Sequence, residues 1–247
     1  MLQKNYATGK NKIKAEDTIA LIPARSGSKS IKNKNIKLLG GKPLIAWSIE
    51  SCKKSKLIKN IIVSTDSKIY ARIALRYGAT HIVYRPKKFS QDNSTDYQVL
   101  KHAIKSLKFL SYKFIAYIRP TTPIREKGVI DNAILSFIKS NCSSLRAVHE
   151  MPESAYKTFE IKKKNMLKPI CGFKQSMDYF NLPRQSFKKT YAANGVVDVY
   201  KKEHLIKKNE LLGRKVLAFK TPFTHEIDTI DQYRYLKLSL KNNKKNV

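Results

Sequence analysis

The first 140 or so residues alternate two hydrophobic patterns. Short apolar runs of strand length and β-compatible composition occur at 18–24 (TIALIPA), 60–66 (NIIVSTD), 79–86 (ATHIVYRP) and 113–120 (KFIAYIRP). Between them, apolar residues recur at helical spacing. PLIAWSIESCKKS (43–55) sets Leu44, Ile45, Trp47, Ile49 and Cys52 behind Pro43, which suits a helix start. KIYARIALRYG (68–78) puts Ile69, Ile73, Ala74 and Tyr77 on one face and stops at Gly78. Residues 92–95 offer caps for a helix through YQVLKHAIKSLKFL (97–110), and KGVIDNAILSFIKS (127–140) predicts another.

Strands separated by helices of about ten to fifteen residues predict a mostly parallel sheet with right-handed crossovers, an α/β fold. Ligands of such sheets bind beyond the carboxyl ends of the strands. The polar segments 25–35 (RSGSKSIKNKN), 85–96 (RPKKFSQDNSTD) and 119–126 (RPTTPIRE) are therefore the places to look. From about residue 145 the rhythm changes. LRAVHEM (145–151), AYKTFEI (155–161) and NMLKPI (165–170) predict strands joined by polar turns. NLPRQSFKKTYAANG (181–195), a strand VVDVY (196–200), a short helix near 202–208, a strand KVLAFK (215–220) and a final helix from 230 complete the chain. The expected organisation is a polar tail at 1–16 and one α/β domain over 17–240, with a β-rich excursion at 145–191 and a lysine- and asparagine-rich tail at 241–247.

Composition narrows the class. Hydrophobic residues make up 42% of the chain, enough for a full core. No apolar run approaches the roughly 18–20 residues of a membrane helix, and residues 1–16 lack the apolar centre of a secretory signal. Cys52, Cys142 and Cys171 are dispersed and form no CxxC pair, which argues against a disulfide framework or structural zinc and fits a reducing cytoplasm. The net charge of +32 raises the question of nucleic acid. Lysines outnumber arginines, however, and are spread along the whole chain without an RNP motif, zinc finger or helix-turn-helix signature. A solvated surface is favoured over a nucleic-acid contact. In either case a positive field speeds the approach of a small anion.

The segment after the first strand carries the most chemistry. A phosphate loop needs small residues and backbone N–H groups that can face an anion, and Ser26, Gly27 and Ser28 supply them. It also needs cations within reach, and Arg25, Lys29 and Lys34 are available. Asn35 can hydrogen-bond a sugar or a base. The spacing is neither the P-loop GxxxxGK[ST] nor the GxGxxG turn. An R-x-G-S-K loop directly after the first apolar strand is instead the pattern of nucleotidyltransferases that activate sugars.

The string IPARSGSKSIKNKNI closely resembles the N-terminal motif of the acylneuraminate cytidylyltransferases, the CMP-sialic acid synthetases and their legionaminic and pseudaminic acid relatives. IIVSTDSKIYARIALRYGA, YRPKKFSQDNSTD, RPTTPIR, NLPRQSFKKTYAANG and EIDT resemble further family segments, in the family's order, over nearly the whole chain. The resemblance implies a Rossmann-like nucleotidyltransferase sheet with a β-rich dimerisation excursion. It implies CTP and a 2-keto-3-deoxy nonulosonic acid as substrates, Mg²⁺ as cofactor, and a homodimer sharing its active sites. Arg25, Lys29 and Lys34 would hold the triphosphate. Asn35 and Arg85 would read cytosine and ribose, with Ser94 and Asp96 nearby. Arg119, Thr121, Thr122, Arg184, Gln185 and Asn194 would meet the sugar acid, with Gly195 in the same turn. Arg184 would be the catalytic electrostatic residue alongside Arg25 and Lys34, and Arg184 or Tyr191 could reach the neighbouring subunit's site. Glu226 and Asp228, spaced i, i+2, would project to one side of an extended segment and bind the metal. The alternative for Asp228 is a cap on the final helix with Thr229. Asp66 and Asp231 are lesser metal candidates.

Three departures from the family pattern matter. Glu226 stands where the family generally has aspartate. Arg119 stands where a sugar-contacting glutamine is usual, and Ala192 where sialic-acid enzymes often carry arginine. A guanidinium gained on one wall and lost on another implies altered anion recognition, as for a legionaminic-type acid. The competing expectations are a cytidylyltransferase for an eight-carbon, Kdo-type acid, whose loop usually lacks the Lys-Asn pair, and a non-catalytic nucleic-acid-binding protein.

Overall fold

The computed structural model describes residues 17–172 and 176–243. The predicted tail at 1–16 and the last four residues of the C-terminal one lie outside them. Along the chain run β1 (Thr18–Pro23), a β-hairpin of β2 (Leu38–Leu39) and β3 (Lys42–Pro43), α1 (Leu44–Lys53), β4 (Asn60–Thr65), α2 (Lys68–Tyr77), β5 (His81–Tyr84), α3 (Asp96–Ser106), β6 (Phe114–Tyr117), α4 (Val129–Lys139), β7 (Ser144–Glu150), β8 (Phe159–Ile161), β9 (Leu167–Pro169), β10 (Tyr191–Lys201), α5 (Lys202–Lys207), β11 (Val216–Lys220) and α6 (Ile230–Asn243).

Seven strands form one sheet in the order β11-β7-β10-β6-β1-β4-β5. β1 is parallel to both β4 and β6, and β4 to β5, whereas β10 runs antiparallel to β6. Residues of β1 alternate between two cores. Ala20 and Ile22 pack with residues of α1, α2 and α4 on one face; Ile19 and Leu21 pack with residues of α3 and α5 on the other. A strand covered on both faces has to be apolar throughout, which is why TIALIP reads as a continuous run. A third cluster joins α6 to the hairpin through Leu39, Leu44, Ile227, Tyr233 and Leu236.

Local signals set the helix ends. The Ser67 hydroxyl accepts from the Tyr70 N–H at the start of α2, and Gly78 ends that helix at φ 104°, a conformation that favours glycine. Thr95 and Gln98 form a reciprocal capping box on α3. These caps fix where the polar connections leave the sheet. The chain moves from β1 outward to β4 and β5, then returns to β6 on the other side of β1. That reversal opens a crevice at the carboxyl ends of β1 and β6.

The chain divides into two compact units: residues to Ala147, Asn194–Phe219 and from Thr224 onward, and a second comprising Val148–Ala193 with Lys220–Phe223. In the second unit β8 and β9 form an antiparallel hairpin pairing Phe159 with Pro169 and Ile161 with Leu167. Lys164 and Asn165 turn it at φ 59° and 57°. The strand predicted at 155–161 begins only at Phe159, because 155–157 is a 3-10 turn capped by Ser154. Phe159, Tyr179, Phe180 and Phe187 form an aromatic cluster that is this unit's small core.

Candidate active site

The crevice is a cavity of about 520 Å³ in the first unit. Its walls come from the three segments that follow β1, β5 and β6. From the first come Arg25, Ser28, Lys29, Lys34 and Asn35; from the second Arg85, Asp92, Ser94 and Asp96; from the third Arg119 and Thr121. Sheet closure thus gathers residues that are almost 100 positions apart in sequence.

The loop after β1 is pinned at several points. Asp66, at the end of β4, accepts from the Ser26 N–H (2.8 Å) and from its hydroxyl (2.9 Å). Ser26 and Gly27 do not line the cavity, and a Cβ on Gly27 would meet nothing within 4 Å. Asn35 is buried, and its amide donates to the Arg25 carbonyl at 2.9 Å, closing the loop on itself. Two cations of the loop share one counterion: Arg25 and Lys29 each lie 2.6 Å from a carboxylate oxygen of Asp92. Hydrogen bonds from Lys29 and then Arg25 hold the Asp92 carboxyl below the usual carboxylate range. Lys34, also in the cavity wall, meets a different acid, Asp228, at 3.0 Å.

Arg85 is anchored from behind. Its guanidinium donates to Ser64 O (2.8 Å) and Phe89 O (3.3 Å), and its buried Nε has no hydrogen-bond partner. Burial lowers its pKa, with the Tyr117 and Asp66 charges opposing. Ser94 accepts from the Gln91 N–H at 3.0 Å. Opposite, Arg119 bridges two carboxylates at 2.7 Å each, Asp96 on α3 and the fully buried Asp198 on β10. Tyr117 donates to Asp96 (2.8 Å) and Tyr200 to Asp198 (3.1 Å). Burial alone would lower the Arg119 pKa; the Asp198 and Asp96 charges outweigh it and drive the value up.

Glu226 and Asp228 flank Ile227, which is fully buried in the cluster that joins α6 to the hairpin. One Glu226 oxygen accepts from the Gly195 N–H and from the Thr122 hydroxyl. The close approach explains the glycine: a Cβ there would come within 2.3 Å of Thr122 Oγ1. Asn194 is buried, and its carbonyl oxygen accepts from the Val196 N–H at 3.2 Å. The α6 cap is a reciprocal pair, Thr229 with Gln232, and the Asp228 N–H also donates to Gln232. The Asp228 carboxylate instead faces Lys34. Asp231 pairs with Arg234 at 3.1 Å. Among the described residues no group of three or more His, Cys, Asp or Glu could hold a metal by itself. Glu226 and Asp228 offer hard oxygens, each with one oxygen engaged by a donor. This fits a Mg²⁺ completed by substrate phosphates rather than an all-protein cage.

Arg184 and Gln185 belong to the second unit, on a short 3-10 turn. There Arg184 lies 3.4 Å from Glu150, which also pairs with Lys189 at 2.9 Å. Tyr191, in the same unit, is partly exposed, with Lys220 4.9 Å from the centre of its ring.

A sequence profile of the family described as cytidylyltransferase matches residues 19–239. The chain belongs to the cytidylyltransferase family. It is 30% identical over 205 residues to the N-acylneuraminate cytidylyltransferase of Escherichia coli O18:K1:H7, covering 81% of this chain and 46% of that protein. It is 38% identical over 122 residues to the CMP-N,N'-diacetyllegionaminic acid synthase of Legionella pneumophila, covering 47% and 51%. The chain thus spans about half the length of these relatives. Among solved structures, CMP:2-keto-3-deoxy-manno-octonic acid synthetase complexed with CTP superposes with a TM-score of 0.67 at 12% identity, over 92% of this chain and 99% of that one; this likeness shows the fold.

Several residues of this family member escaped the sequence reading. Asp198 was visible as a lone acid in VVDVY, where apolar neighbours leave it no solvent face and so require a partner. Arg125 closes RPTTPIR. Its guanidinium donates to Val196 O (2.8 Å), Arg119 O (2.7 Å) and Gly195 O (3.2 Å), tying the turn after β6 to β10. Burial pushes its pKa down to about 10. Nothing in the motif distinguished it from a surface arginine. Asp92 lay in a segment read as helix caps.

Proposed function

We propose that this protein is a CTP-dependent cytidylyltransferase that activates a 2-keto-3-deoxy nonulosonic acid, sialic or legionaminic in type, for glycan synthesis. The anomeric oxygen bonds to the α-phosphorus, the bond from that phosphorus to pyrophosphate breaks, and the hydroxyl proton passes to solvent. Such a transfer depends on positioning and charge neutralisation more than on covalent participation by the protein. The observation that carries the reading is the convergence of Arg25, Lys29, Lys34 and Arg85 on one crevice at the β1/β6 reversal.

In this reading Arg25, Lys29 and Lys34 neutralise the triphosphate and the departing pyrophosphate. Asn35, Arg85, Ser94 and Asp96 hold the nucleoside. Thr121 lines the sugar side with Thr122 and Asn194 buried behind it, and Arg184 and Gln185 are assigned to the sugar carboxylate. Glu226 and Asp228 would hold Mg²⁺, which when bound supplies charge neutralisation to the phosphates. The second unit carries a homodimer contact. Three free cysteines suit a reducing compartment, and the reading places the protein in the cytoplasm. Among the described residues no helix is long and apolar enough to cross a membrane.

The test is pyrophosphate release from CTP with Mg²⁺ across sialic, legionaminic, pseudaminic and eight-carbon acids. Release is expected with a nonulosonate and not with the eight-carbon acid. Silence across all three nonulosonates defeats the reading.

A further inference from the structure

We infer that Arg119 is a positioning residue, a cation built into the crevice wall that aims Asp96, and that it does not read the substrate's carboxylate. The inference rests on the proposed function above, since Asp96 is assigned there to the nucleotide.

The two ends of the guanidinium are both spent. Nη1 lies 2.7 Å from Asp198 and Nη2 lies 2.7 Å from Asp96. The guanidinium carbon lies 5.1 Å from the centre of the Tyr117 ring, whose hydroxyl completes the hold on Asp96. The Arg119 carbonyl is fixed as well, accepting from Ser48 (3.3 Å) and Arg125 (2.7 Å). One positive charge therefore sits between two negative ones. Arg146 lies 3.8 Å from the second Asp198 oxygen, and the neighbouring guanidiniums of Arg85 and Arg125 donate to backbone carbonyls. The charge of Arg119 is taken up by its own two carboxylates, so the arginine does not create a new anion site.

Its work is internal. Asp198 is completely buried and needs a cation, because an unpaired buried carboxylate is strongly destabilising. Having recruited one, β10 uses the far end of the same fork to fix Asp96 at the first turn of α3, where it lines the cavity. A lysine could not span both acids, whereas the planar guanidinium does. Arg119 and Asp198 thus form one device, and neither side chain is interpretable without the other.

The experiment compares Arg119→Gln, Arg119→Lys, Asp198→Asn and the double Arg119→Gln/Asp198→Asn. CTP affinity is measured by calorimetry without sugar acid, KM for the sugar acid by turnover, and folding by thermal melting. Arg119→Gln should weaken CTP roughly tenfold and lower the melting temperature, with the sugar-acid KM nearly unchanged. Arg119→Lys, which keeps the buried charge, should stay folded and still lose CTP affinity. The double variant should regain the melting temperature and not the CTP affinity. A tenfold rise in sugar-acid KM with CTP affinity intact would overturn the inference, as would full recovery of CTP binding in the double variant. A wild-type protein that binds no CTP would instead sink the functional reading itself.

Discussion

Asp92 shows how far a single side chain can be judged from its neighbours in sequence. The loop cations Arg25 and Lys29 were legible at once, because a cluster of basic and small residues after an apolar strand has few structural uses. Their counterion was not, since it stands 67 positions from Arg25 and is brought there only by β5 and its following loop. In the proposed reading Asp92 occupies the charges that a triphosphate would claim, and its own exposure makes each pair weak and displaceable. Asp92→Asn should therefore bind inorganic pyrophosphate more tightly, by roughly 3–10-fold, and suffer stronger product inhibition. Calorimetric titration with pyrophosphate checks this. Weaker binding in the variant would mean that Asp92 orders the cations for the ligand instead of competing with it.

At the scale of elements, the alternation of strand and helix through residue 140 followed from hydrophobic spacing and from caps such as Thr95 and Gly78. Both are local signals. The reversal of sheet order at β1 and the antiparallel return of β10 are not local, and they decide which loops meet. Glu226 illustrates the difference. Its i, i+2 spacing with Asp228 is legible in the sequence, but one of its oxygens is committed to Gly195 within β10 and to Thr122. The fully buried Thr122 has no cheap route away from a methyl group placed on Gly195. Gly195→Ala should cost about 1–3 kcal/mol through overpacking, which for a chain of this size lowers the melting temperature by roughly 2–4 °C per kcal/mol. Differential scanning calorimetry reads that loss. An unshifted melt would show that Glu226 is free to leave the glycine, and so free to serve chiefly as a metal ligand.

For the whole molecule, charge and exposed apolar surface act in opposite directions. The second unit's hairpin leaves Ile161 73% exposed and Met166 65% exposed, with Leu167 and Ile170 also in solvent. A two-stranded hairpin is marginal by itself, and an apolar face of this kind asks for cover. A second copy of the chain supplies it in the proposed homodimer. Each copy carries +32, however, so association works against long-range repulsion. Salt screens that repulsion, and it equally screens the attraction between the crevice cations and the proposed substrate CTP. The two equilibria should then respond oppositely. Raising ionic strength from about 0.05 to 0.5 M shortens the Debye length several-fold, and should tighten the dimer while weakening CTP binding. Sedimentation velocity across that range, paired with CTP titration, tests both slopes. Ile161→Lys with Leu167→Lys should hold the protein monomeric at every salt concentration while it continues to bind CTP through the first unit. A dimer that survives this double substitution, or one that dissociates as salt rises, would place the contact elsewhere and make it polar.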